Sequence, residues 1–350
     1  MLMSVRIPVL AATLTVAIAA CHSTANQPPS DDELRRSSSP QSCRTIEHQS
    51  GVTEICGQPQ TIVALGPFVL EPLLALEVQV AAFADHVTLH QGPYDNPDQQ
   101  ILYLGKYVTN QPVNLGVAGQ PSIEALLLLQ PDLILGTHFN NADEYETLSK
   151  IAPTILLQWD DVETNLTAIA EAVGSPERAQ QLLAEMDQRI VTSQDGFSSF
   201  VTEHPNVLLL STDSQLKSIH IGDSAHGLCS SLLTDLGFNL VSLEGVAENQ
   251  PGAPVPVSLE AITRVNDEAE AIVLLGFNDD PELQTTDNFE NRQLIELKQS
   301  WEQNAIAQSL DASKAGRVYF IPAYLCLGLP GPIGTELYLE ELKEQLLTPN

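Results

Sequence analysis

Ser175-Pro176-Glu177-Arg178-Ala179-Gln180-Gln181-Leu182-Leu183-Ala184-Glu185-Met186-Asp187-Gln188-Arg189-Ile190-Val191-Thr192-Ser193-Gln194-Asp195-Gly196-Phe197-Ser198-Ser199-Phe200-Val201 lies at the middle of a 350-residue chain, and the architecture turns on it. No glycine interrupts it before Gly196. Leu182, Leu183, Met186, Ile190, Phe197 and Val201 recur at roughly helical spacing. That spacing predicts a helix over 176–201, about 35–40 Å long at about 1.5 Å per residue. Pro176 takes the first helical position, where its missing N–H costs nothing, and Ser175 is the N-cap candidate. Two shorter helices broken near Gly196 are the alternative. In either case a helical connection, and not a flexible loop, joins the halves.

Outward from that connection, short apolar runs alternate with amphipathic segments, as βαβ units and parallel sheets require. Strands are expected at Thr61–Leu65, Gln79–Ala84, Asp132–Gly136 and Thr154–Leu157 before it, and at Asn206–Ser211, Ser218–Ile221, Ala271–Gly276 and Arg317–Ile321 after it. Helices are expected near Val69–Glu77, Ile123–Leu129, Ala142–Lys150, Ala225–Leu236, Leu259–Arg264 and Thr335–Leu347. The two halves also echo each other. Ser122-Ile123-Glu124-Ala125-Leu126 precedes the strand from Asp132, and Ser258-Leu259-Glu260-Ala261-Ile262 precedes the strand from Ala271. In each, Ser caps a helix and Glu sits at its positive end. Taken singly, each Glu merely stabilises a helix start; repeated at equivalent places, they look like matched exposed carboxylates.

The ends of the chain read differently. Residues 1–20 carry Arg6 and then an apolar run, too short for a comfortable membrane span and typical of a secretory signal. Ala17-Ile18-Ala19-Ala20-Cys21 resembles a bacterial lipobox, which implies lipidation of Cys21; an ordinary cleavage site with a stray Cys is the alternative. Residues 21–42, rich in Ser, Pro, Asn and Gln, read as a tether. Setting Cys21 aside leaves Cys43, Cys56, Cys229 and Cys326, an even number that outside the cytosol favours two disulfides. Cys43 and Cys56 flank a short polar segment, and by subtraction Cys229 pairs with Cys326. The expected organisation is an N-terminal lobe over 43–174, the connecting helix over 175–204 and a C-terminal lobe over 205–350.

Composition excludes whole classes of function. Against 15 Lys and Arg stand 45 Asp and Glu, a formal net charge of -30. No nucleic acid could be held by such a chain, because nothing neutralises its phosphates. An anionic membrane surface is equally unattractive to it. With 43% hydrophobic and 17% charged residues the chain still folds, so the acidity is mostly a solvated surface. No G-x-S-x-G, P-loop or dinucleotide fingerprint occurs, so the reading is a binding protein and not an enzyme.

The stretch Gly116-Val-Ala-Gly-Gln-Pro-Ser-Ile-Glu124-Ala-Leu-Leu-Leu-Leu-Gln-Pro131-Asp132-Leu-Ile-Leu resembles the signature of the Fe³⁺-siderophore/cobalamin periplasmic binding proteins. Gln60-Thr-Ile-Val-Ala-Leu-Gly66 with Glu71-Pro-Leu-Leu-Ala-Leu, and the run from Trp301 to Arg317-Val-Tyr-Phe, are similar to the same family's first strand and helix and last strand. The resemblance spans about Cys43 to Leu347. It implies the class III periplasmic binding protein architecture: α/β, two lobes with mostly parallel sheets joined by a single long α-helix. It also implies the substrate-binding lipoprotein of an ABC importer in the periplasm or cell envelope, anchored only through Cys21. By the same resemblance Glu124 and Glu260 match the carboxylates that dock onto arginines of a dimeric permease.

In open α/β lobes ligands bind beyond the carboxyl ends of the strands. That rule selects Phe68, His86, His90, Tyr103, Tyr107, His138, Lys217, His226 and Tyr324 as ligand-binding candidates. Aromatic and His side chains suit a bulky ligand with an apolar shell. Between Arg44 and Arg178 only Lys106 and Lys150 occur, so the first lobe cannot form an arginine cage. A ferric siderophore of hydroxamate type therefore fits better than a polyanionic one, with no resident metal and no cofactor. His86, His90, His138 and His226 raise an alternative, a haem, cobalamin or direct transition-metal binding protein. An exported hydrolase on an α/β scaffold is the other.

Overall fold

The computed structural model describes residues 42–158, 161–222, 226–243, 255–277 and 289–348. The signal, tether and Cys21 readings lie outside these residues. A hairpin, β1 (Cys43–His48) and β2 (Gly51–Cys56), opens the chain, and Cys43 and Cys56 face each other in register and are disulfide-bonded.

Two six-stranded sheets follow. The first has the order β6 (Gln120–Pro121), β5 (Val113–Val117), β4 (Ala82–Asp85), β3 (Ile62–Leu65), β7 (Leu133–Thr137), β8 (Thr154–Leu157). Only β5 with β6 is antiparallel. Every residue of β3, β4, β7 and β8 is buried, because helices cover both faces of a parallel sheet. The second sheet runs β12 (Val255–Val257), β10 (Ile219–Ile221), β9 (Asn206–Asp213), β13 (Ala271–Phe277), β14 (Val318–Pro322), with β11 (Asn239–Leu240) also on β9. Its core pairs are parallel, whereas β10 is an antiparallel addition to β9.

The central helix is continuous over Pro176–Glu203, so Gly196 does not break it. Ser175 makes no side-chain cap. The preceding helix, Val162–Val173, ends instead with Gly174 in the left-handed region, and the Ser175 N–H donates to the Ala170 carbonyl at 2.7 Å. This turn ends one helix and lets Pro176 start the next. Ala179 and Leu182 enter the first lobe's core, while Ile190 and Phe197 enter the second's. Phe197 is packed edge-on against Phe238. One helix thus supplies side chains to both cores.

A helix is expected over Ala142–Lys150, but the chain forms two short ones, His138–Asn141 and Tyr145–Leu148. Thr137 caps the first early, and the buried Asn141 side chain ties it back by donating to the Ala118 carbonyl at 2.7 Å. The Ser caps of the echoed helices form as read: Ser122 Oγ accepts from Ala125 N–H and Ser258 Oγ from Ala261 N–H, each at 3.3 Å.

The C-terminal segment crosses back to the first lobe. Tyr324, Leu329 and Ile333 belong to its core, whereas Tyr338, Leu339 and Leu342 further along belong to the second. Glu71, wholly buried on the helix Pro67–Ala75, accepts the Ile333 N–H at 2.6 Å and the Gly334 N–H at 3.4 Å. It therefore caps the helix Pro332–Leu347 from the opposite lobe. The disulfide Cys229–Cys326 fixes the start of this crossing segment to the helix Leu228–Asp235.

Candidate functional site

Where the carboxyl ends of β3, β4 and β14 come together, four aromatic side chains form a cluster. Gly66 follows β3 with φ of 115°, a conformation that favours glycine, and its N–H donates to the Ala84 carbonyl at 2.9 Å. This turn starts the next helix at Pro67 and sets Phe68 at its head. The Phe68 ring lies 5.9 Å from that of His86, His86 lies 5.2 Å from Tyr324, and Tyr324 lies 5.7 Å from Tyr103. Tyr324 is contributed by the second lobe's β14 turn, so the cluster spans both lobes. Phe68, His86 and Tyr103 are half-buried and Tyr324 is buried.

Beneath the cluster lies Asp85, the last residue of β4 and 3% exposed. Its Oδ1 accepts the His86 backbone N–H at 2.7 Å and the Tyr324 hydroxyl at 3.5 Å, and stands 3.5 Å from His86 Nδ1. Burial, reinforced by the Asp85 charge, holds the Tyr324 hydroxyl well above the usual phenol range. Tyr94 is raised for the same reasons in the same order. Both phenols therefore stay neutral and serve as donors. Asp85 and Tyr94 escaped the sequence reading. The signal for Asp85 is a carboxylate closing the apolar run Ala82-Phe83-Ala84, directly before His86.

The other sequence-selected residues are placed elsewhere. His90 stacks on Tyr94 at 5.6 Å, and its Nε2 lies 3.1 Å from the Pro93 carbonyl. Tyr107 lies under the Lys106 ammonium and lines a crevice with Leu182, Met186 and Pro332, against the central helix. His138 Nδ1 lies 3.0 Å from Ser50 Oγ on the opening hairpin. His226 is wholly buried, its Nε2 3.1 Å from Ser211 Oγ on β9. Lys217 is exposed in the β9–β10 turn, where the Asp213 carboxylate accepts the N–H groups of Gln215, Lys217 and Ser218. Glu124 and Glu260 are exposed in the first turns of the matched helices Ile123–Leu129 and Leu259–Ile262. Backbone and Ser258 hydrogen bonds hold the Glu260 carboxyl below its ordinary value, so it is ionised.

Among the described residues, the only group of three His, Cys, Asp or Glu side chains close enough to share an ion is Cys43, Glu54 and Cys56. Both of those cysteines are in the hairpin disulfide. The four histidines are held by separate partners, at Asp85, Pro93, Ser50 and Ser211.

Known proteins supply an independent comparison. The family model described as periplasmic binding protein matches residues 62–325. The chain is 24% identical over 346 residues, 95% of each chain, to YhfQ of Bacillus subtilis, whose name provisionally assigns it to the ABC transporter substrate-binding lipoproteins. It is 25% identical over 282 residues to the Fe(3+)-citrate-binding protein YfmC of the same organism, covering 79% of this chain and 77% of that one. Staphylococcus aureus SirA, solved with staphyloferrin B, superposes with a TM-score of 0.68 at 22% identity over 87% of this chain and 98% of that one, a likeness of fold. With the two sheets and the single connecting helix already described, these matches place the chain in the periplasmic binding protein family, in its helical-backbone class.

Proposed function

We propose that this protein is the substrate-binding lipoprotein of an ABC importer, that it captures a ferric siderophore between its lobes, and that it delivers the chelate to the permease without turnover. The observation that carries this is the aromatic cluster formed by both lobes at the carboxyl ends of their strands, the place where α/β folds take ligands. The names of relatives support the ligand class, since one is a ferric citrate binder and another a ferric-anguibactin binder. A hydroxamate chelate suits this site better than a polyanionic one, because the first lobe holds few cations and a buried carboxylate, Asp85, lies against the aromatic cluster. Cys21 is the anchor, residues 1–20 are the signal and 21–42 the tether. Glu124 and Glu260 are the docking carboxylates, each able to take an arginine in a two-point, orienting contact with a two-fold partner.

Titration with ferric hydroxamates, ferric citrate, haem, cobalamin and free divalent metals tests the reading. Saturable binding of a ferric chelate supports it. Affinity for haem, cobalamin or a bare metal alone would replace it with the histidine-centred alternative, and affinity for none would sink transport altogether.

A further inference from the structure

We propose that Asp85 sets the charge selectivity of the cleft, so that its floor rejects polyanionic iron chelates and accepts neutral or cationic ones, including those with a protonated amine. This rests on the ferric-chelate reading above. Asp85 closes β4 against His86 and Tyr324, whose rings meet at 5.2 Å, one from each lobe. Its neighbours supply donors and no fixed cation: a backbone N–H, a neutral phenol and an imidazole at 3.5 Å. A histidine is not a permanent cation as a guanidinium is.

The first lobe's cations are engaged elsewhere, and Lys217 of the second is an exposed residue of the β9–β10 turn. Arg44 donates to the carbonyls of Gly57 and Ala172, behind the hairpin. Lys106 lies over the Tyr107 ring, 5.0 Å from its centroid. Lys150 pairs with Glu146, and Arg178 with Glu77 and Glu185. In the second half Arg189 pairs with Glu336 and Arg317 donates to the Glu270 carbonyl. Among the described residues, no Lys or Arg makes an ion pair with Asp85. A charge buried beneath aromatic rings is poorly screened, so it acts on whatever occupies the floor.

The test uses the full chain and radio-iron-labelled complexes in four charge classes at one pH and moderate salt. These are a neutral ferric tris-hydroxamate, an amine-bearing cationic tris-hydroxamate, a trianionic ferric tris-catecholate and ferric dicitrate. The unaltered protein is expected to bind the neutral and cationic complexes at least about tenfold tighter than the anionic ones. Asp85→Asn, which keeps the shape and removes the charge, is expected to narrow that gap by about tenfold, with its melting curve checked in parallel. Tighter binding of the anionic complexes by the unaltered protein overturns the proposal while leaving iron-chelate transport standing. A gap unchanged in a folded Asp85→Asn variant likewise overturns it. Binding of none of the four overturns both.

Discussion

Glu71 offers the sharpest test of how the two lobes are fastened. Its carboxylate is wholly buried and caps the first turn of Pro332–Leu347 through the N–H groups of Ile333 and Gly334. Burial raises its pKa more than those donors lower it, from 4.5 to about 7. Between these values the folded chain holds a proton that the unfolded chain has released. The contribution of the protonated form to stability is therefore complete below the unfolded value and is lost as pH rises through about 7. Integrating that shift from pH 5 to pH 8 gives a loss of roughly 2–3 kcal/mol from this one group. Glu71→Gln stays neutral at every pH and keeps an oxygen that can accept the same N–H groups. Urea unfolding of both proteins at pH 5, 6, 7 and 8 should show the parent's stability, relative to the variant's, falling by roughly 2–3 kcal/mol across that range. A difference that does not change with pH would mean that Glu71 titrates alike in the folded and unfolded chains, and the reasoning would fail.

Three further outcomes follow from the same structure. Cys229→Ser should cost about 4–5 kcal/mol by the chain-entropy account, because Cys229–Cys326 closes a loop of 97 residues; chemical denaturation reads it, and a cost below about 1 kcal/mol would contradict that account. Phe68→Ala removes a half-buried ring from the cluster and should weaken chelate binding about tenfold or more with little loss of stability; unchanged affinity would move the site elsewhere. Glu124→Arg or Glu260→Arg should depress iron uptake in cells while chelate affinity stays within about twofold, since both carboxylates are exposed; a collapse of affinity would show that they do not act as docking groups.

What the sequence discloses here depends on how each segment is buried. Ile62–Leu65, Leu133–Thr137, Thr154–Leu157 and Ala271–Phe277 are covered on both faces, so they read as continuous apolar runs and are legible. The opening hairpin and Val113–Val117 are covered in part and mix exposed with buried positions, which a short run cannot distinguish from loop. The central helix was legible because its apolar spacing outweighed one Gly, although it serves two cores in turn. At the site, the strand-end rule reached Phe68, His86, Tyr103 and Tyr324, which do meet. It had no means of seeing that His138 bonds Ser50, 88 residues away, or that His226 is sealed against Ser211. Glu71 was missed because a carboxylate in an acidic chain says nothing by itself, and Asp85 because its one signal, a carboxylate closing the run Ala82-Phe83-Ala84, also fits an exposed strand end. Their burial is a product of the packing between the lobes.

That packing bears on how a ligand is captured. A protein whose lobes met only through a hinge helix would pay little to open. Here, opening at the crossing segment must withdraw Glu71 from the Ile333 and Gly334 N–H groups and pull Tyr324, Leu329 and Ile333 from the first lobe's core. The stranded polar groups alone cost about 1–3 kcal/mol, and an exposed core aliphatic side chain adds about 1.5–3 kcal/mol. A penalty of about 4 kcal/mol leaves a widely opened form at about one molecule in a thousand. On the proposed reading, the cluster of Phe68, His86, Tyr103 and Tyr324 is therefore assembled before the ligand arrives, and affinity should come from that preorganisation and not from a large closure. Small-angle scattering with and without a saturating ferric chelate measures this directly. The radius of gyration should change by less than about 1 Å, as expected when interface backbones move little on binding, and a larger contraction would show that the crossing segment releases in the unliganded protein.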